Sequence, residues 1–128
     1  MDNNVFVSKL IKGTKEGIIK WEPAKSNKLY NSYQPFFLQN DDKKLVLEKY
    51  NTTEYDVYGE EMQVPNCKIS ICDDHYNSLS DIYETDVKKS SDLMRLYRLA
   101  ERQVNNVDEI MENFVKKIDN FDFKKIDK

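Results

Sequence analysis

Cys72-Asp73-Asp74-His75 brings three metal-ligating residue types into four positions, around the only histidine of the chain. Cys-x-x-His is a usable ligand pair, but a structural zinc takes four ligands. The one other cysteine, Cys67, lies five residues upstream. An odd offset in a strand puts Cys67 and Cys72 on opposite faces, roughly 16 Å apart. That spacing excludes a disulfide between them, which needs Cα atoms within about 7 Å. The motif therefore reads as a polar turn after a strand, and no metal is expected. A Cys72 or Ser78 nucleophile would need His75 as base and a third group to orient it, which close sequence neighbours seldom provide.

All three arginines fall in one short segment: Arg95, Arg98 and Arg102. Their i, i+3, i+7 spacing lines one helix face. Arginine suits planar recognition of carboxylate or phosphate, so this face is an alternative anion- or nucleotide-binding site. The ordinary reading is a solvated helix face with surface ion pairs.

The carboxylates are also unevenly placed. Residues 41–86 hold 12 acids against 4 lysines, net −8, while residues 1–40 are net +3 and residues 87–128 net +2. Acids in 54–61 and 73–86 could build a hydrolytic carboxylate pair, but nothing in the spacing joins them. The same segment could instead face a basic protein partner. Glu54, Asp56, Glu60 and Glu61, with Tyr55 and Tyr58 as apolar anchors, form the expected protein-binding site. Such a surface steers basic partners and repels nucleic acid. Direct nucleic-acid binding is not expected. The glycines, Gly13, Gly17 and Gly59, are too scattered for a phosphate-binding loop, and no cofactor is expected.

The elements that position these residues follow from periodicity. Phe6, Val7, Leu10, Ile11 and Thr14 mark a helix from about Asn4 to Glu16, with Gly17 placed for the left-handed residue past its end. Ile18–Glu22 reads as a short strand. Leu29–Leu38 reads as an aromatic-rich strand containing Tyr30, Tyr33, Phe36 and Phe37. A turn at Asn40-Asp41-Asp42 leads to its hairpin partner, Lys43–Asn51. Tyr55–Tyr58 and Met62–Val64 flank Gly59 as a further, irregular hairpin. In 66–72, Cys67, Ile69 and Ile71 share one strand face and Lys68, Ser70 and Cys72 the other. Residues 73–89 are left between a short strand and a short helix.

The closing segment carries the clearest signal. Leu93, Tyr97, Ala100, Val104, Val107, Met111, Phe114 and Ile118 keep an unbroken 4-3 spacing over 26 residues. Asn106-Val-Asp-Glu109 has capping-box spacing and allows a restart, but the constant phase favours one long helix. Leu96, Leu99, Ile110 and Val115 widen the stripe beyond a coiled-coil seam, which suits a helix lying on a sheet.

The chain has 128 residues, 34% charged, 39% hydrophobic and 12% aromatic, which fits one folded domain (1–120) and a tail (121–128). No leader or apolar span is apparent, and unpaired cysteines favour a reducing cytoplasm. The net charge of −3 exerts no global pull toward membrane or nucleic acid.

Lys15-Glu16-Gly17, Ile18-Ile19-Lys20-Trp21-Glu22, Asp92-Leu93-Met94-Arg95-Leu96-Tyr97 and Val104-Asn105-Asn106-Val107-Asp108-Glu109-Ile110 resemble small proteins of low-GC Gram-positive bacteria, their phages and integrative elements. The resemblance covers about a third of the chain. It implies an opening helix, an antiparallel sheet and a long closing helix, and transfers no active site.

The expected fold is α+β: an N-terminal helix, an antiparallel sheet of four to five strands and a long C-terminal helix packed on the sheet. The expected function is a non-enzymatic, protein-binding accessory or inhibitory factor, encoded by a phage or mobile element, with a basic-surfaced partner. Anion binding and hydrolysis are the alternatives. The sequence leaves the oligomeric state open.

Overall fold

The computed structural model describes residues 1–25 and 33–126, with side chains through residue 121. Helix α1 (Asn3–Lys15) starts at Asp2, whose carboxylate accepts from the Asn4 and Val5 amides. Its inward face is Val7, Leu10, Ile11 and Thr14. Gly17, at φ 73°, turns the chain out as anticipated. The strand expected at Ile18–Glu22 shrinks to β1 (Glu22–Pro23). Both the Ile18 and Ile19 amides donate to Gly13 O, so this stretch wraps the helix end instead of pairing. A Cβ on Gly13 would lie 2.6 Å from Ile19 Cδ1, so glycine inside the helix is what admits the wrap.

Four further strands follow: β2 (Phe36–Asn40), β3 (Lys43–Tyr55), β4 (Glu61–Asp73) and β5 (Ser78–Tyr83). With β1 they form one antiparallel sheet in the order β1-β2-β3-β4-β5. The first part of the aromatic segment expected as a strand from Leu29, including Tyr30, lies outside the described residues. The hairpin expected across the Asn40-Asp41-Asp42 turn forms, with β2 against β3, whereas the separate hairpin expected around Gly59 is the outer end of a second, longer one. β3 and β4 stay in register from Lys43↔Asp73 to Tyr55↔Glu61, turning over 56–60. Residues 73–89 resolve into β5 and a 3₁₀ turn (Glu84–Asp86).

One sheet face is covered. Phe36, Leu47, Cys67, Ile69 and Ile82 point into a core closed by Val7, Leu10 and Ile11 of α1 and Leu93, Leu96, Tyr97 and Ala100 of α2 (Ser91–Val104). The alternation of β4 puts Cys67 inside and Cys72 on the other face, both as free thiols. The Tyr97 ring meets Phe36 at 5.3 Å and its hydroxyl donates to Gln34 O. Gln103 bolts α2 to the α1–β1 connection: its Oε1 accepts from the Trp21 amide, and its Nε2 donates to Ile19 O. The Trp21 indole donates to Thr14 Oγ1 beside it.

The expectation of one long closing helix fails at Asn105-Asn106. Asn106 takes φ 52°, and α3 (Val107–Ile126) starts afresh. Asparagine is among the few residues that enter the left-handed region at small cost. The heptad phase continues across the break, but its partner does not. Leu93, Tyr97 and Ala100 are buried, whereas Met111, Phe114 and Ile118 are exposed. Of the closing segment, therefore, α2 covers the sheet beside α1, and α3 does not.

Candidate functional site

Beyond Leu47 on β3 and Lys68 on β4, no third strand pairs with the hairpin among the described residues. Eight residues of β3, at about 3.3 Å each, make an arm roughly 25 Å long. Cross-strand side chains brace it: Asn66 Nδ2 donates to Thr52 Oγ1 at 2.7 Å, and Gln63 Nε2 to Thr53 Oγ1 at 3.0 Å.

The arm brings all six residues of the expected protein-binding site to its tip. Glu54 and Tyr55 end β3, Glu61 opens β4, and Asp56, Tyr58 and Glu60 occupy the turn. Tyr55, Val57 and Tyr58 are 65%, 93% and 88% exposed. Residues 50–67 include four carboxylates and no lysine or arginine. The six are not equivalent, however. Asp56 Oδ1 accepts from the Tyr58 and Glu60 amides at 2.8 and 2.9 Å, so this carboxylate holds the turn in shape. Glu54, Glu60 and Glu61 are the outward charges. Val57 and Met62 belong to the same exposed tip. Sequence reasoning passed over them, although they flank the tyrosines and the turn glycine it singled out.

The arginine face lies on α2. Arg95, Arg98 and Arg102, with Lys89, Ser91, Met94 and Leu99, line a shallow cleft of about 460 Å³. The arginines divide into two roles. Arg102 donates to Asp108 at the start of α3 and reaches Met111 Sδ at 3.7 Å. Neither Arg95 nor Arg98 makes an ion pair among the described residues.

Behind the sheet, on the face away from the helices, Ser70, Cys72, Ser78, Asp81, Glu48 and Lys68 share a cleft of about 240 Å³. Ser70 and Ser78 hydroxyls both donate to Asp81 Oδ1, at 2.6 and 2.9 Å. These bonds hold the Asp81 carboxyl below the usual carboxylate range. Burial pushes the Cys72 thiol up, with the Asp81 charge adding to the effect, so it is not an activated nucleophile. Burial likewise pushes Cys67, on the core side, up to about 12. His75 sits exposed in the β4–β5 turn, where its amide donates to Asp73 Oδ1. Among the described residues no three His, Cys, Asp or Glu side chains converge as metal ligands, and no carboxylate is buried. No described helix is long and apolar enough to cross a membrane.

Compared with known proteins, the chain matches no family model, no curated protein sequence and no solved structure.

Proposed function

We propose that the chain is a non-catalytic, protein-binding factor that engages a basic surface with the tip of the β3–β4 arm. The observation that carries this reading is the composition of that tip. Three outward glutamates surround three largely exposed apolar side chains, with no cation between residues 50 and 67. Aromatic anchors supply binding energy, and like-signed charge supplies steering. An inhibitor that occupies the phosphate site of a nucleic-acid-processing protein would use this layout.

The test is a pull-down from the source cell, followed by kinetics with the recovered partner. Changing Glu54, Glu60 and Glu61 to Gln together, leaving Asp56 to hold the turn, should slow association while dissociation changes little. Added salt should act the same way. Tyr58→Ala should chiefly speed dissociation. Unaltered binding by the triple variant would sink the proposal.

A second reading rests on the α2 cleft, whose lining includes Lys89, Arg95 and Arg98 and no acid. An anionic ligand there would be lost on changing Arg95 and Arg98 to Gln, with the arm intact. Hydrolysis finds no support in the geometry: among the described residues no carboxylate is buried, and no three acid, histidine or cysteine side chains converge.

A further inference from the structure

We propose that α3 pairs in parallel with α3 of a second copy of this chain, forming a short two-stranded coiled coil that makes the protein a dimer. The argument is independent of the arm. Val107, Met111, Phe114 and Ile118 repeat at 4-3-4, the spacing of a coiled-coil seam. Past the half-buried Val107 this seam has no cover among the described residues: Met111, Phe114 and Ile118 are 53%, 63% and 58% exposed, and the flanking Ile110 and Val115 are 48% and 54% exposed. A contiguous stripe of five large apolar side chains on one helix is unusual for an isolated surface.

The flanking positions select both occupant and direction. With Met111 and Ile118 at the a positions and Val107 and Phe114 at the d positions of the heptad, a parallel pair sets each residue just before an a position against the residue five places later on the partner helix. Ile110 then meets the Val115 position of the second copy, apolar against apolar, in both halves of the symmetric pair. Lys117 is likewise followed five places later by Asp122. An antiparallel pair instead sets Ile110 and Lys117 against each other or themselves, and Asp108 and Val115 likewise. Ile110 or Val115 against itself is apolar on apolar, but each antiparallel register that allows it also sets Asp108 against Asp108 or Lys117 against Lys117, and the remaining register sets a charge against an apolar group at both flanks. Only the parallel pair matches every flank, and one helix matches itself this way. A membrane surface is a poorer occupant. Between 107 and 120 the helix carries four acids and two lysines, the wrong balance for anionic lipid.

Sedimentation equilibrium of the full chain at high micromolar concentration should return twice the chain mass. Phe114→Glu and Ile118→Glu, each at an exposed position of the single chain, should return the chain mass with the far-ultraviolet circular dichroism of a folded domain. Val107→Cys should cross-link to its own copy under mild oxidation, because only a parallel pair brings two 107 positions together. A monomeric wild type, a dimer that survives both glutamate substitutions, or binding to phosphatidylserine vesicles through the same stripe would overturn the proposal. A dimer in which Val107→Cys fails to cross-link would overturn the parallel arrangement.

Discussion

Along α2 the repeating apolar positions are sealed: Leu93 and Ala100 have no exposed surface and Tyr97 has 2%. Along α3 the same repeat, in the same phase, stands open to solvent. The difference lies in two residues between them. Asn105 and Asn106 carry no seam side chain, and the left-handed Asn106 takes α3 out of the line of α2. Periodicity thus fixes which side of a helix is apolar, while a local backbone feature decides what that side meets.

The largest expected effect separates the two helices directly. Leu93→Ala should destabilise by about 2–5 kcal/mol, since it opens a cavity in a closed core. Phe114→Ala, measured by urea melts at concentrations low enough to keep single chains apart, should cost well under about 1 kcal/mol. Equal costs would mean that α3 packs back on the domain. Next in size is Gln103→Ala, expected to cost about 1–3 kcal/mol, because it leaves the Trp21 amide and the Ile19 carbonyl without partners where α2 meets α1. Thiol chemistry sharpens the contrast between the two sheet faces. Both cysteines should react slowly with a thiol reagent at pH 8 in the folded protein, Cys67 the more slowly, and both rapidly in denaturant. The smallest effect is expected from Asn106→Gly, a gain of at most about 1 kcal/mol from relieving the left-handed residue. A loss there would mean that the Asn106 side chain has a structural part of its own.

Much of the α+β architecture was legible in the residues. The alternation of Cys67, Ile69 and Ile71, the apolar face of α1 and the Asp41-Asp42 turn all specify local structure through side-chain period or turn chemistry. Where the sequence reading failed, tertiary context had overridden a local signal. Ile18–Trp21 has the composition of a strand, yet Gly13 offers a groove that draws Ile19 onto the helix end. The hairpin looked interrupted near Thr53 because its outer half has no core to face, so its residues lose hydrophobic alternation while keeping their backbone pairing. At the helix break the signal was present as Asn106 with Glu109 three places on, but the unbroken phase outweighed it. The six residues of the arm tip were legible as a group because a single tight turn collects them. That Asp56 serves the turn, and that Arg102 is held by Asp108 while Arg95 and Arg98 are unpaired among the described residues, depends on distances that no spacing rule supplies.

The position of the single tryptophan has a spectroscopic consequence. Trp21 is 4% exposed and bonded to Thr14 at the junction of α1, the α1–β1 connection and α2. Its emission therefore reports whether that junction is closed and is silent about α3 and the arm. Far-ultraviolet circular dichroism, by contrast, weights all three helices. If the two signals are followed through one unfolding curve, any transition seen in dichroism before the emission moves belongs to a part of the molecule remote from Trp21. The chain carries its own unlabelled means of telling the core from its extensions.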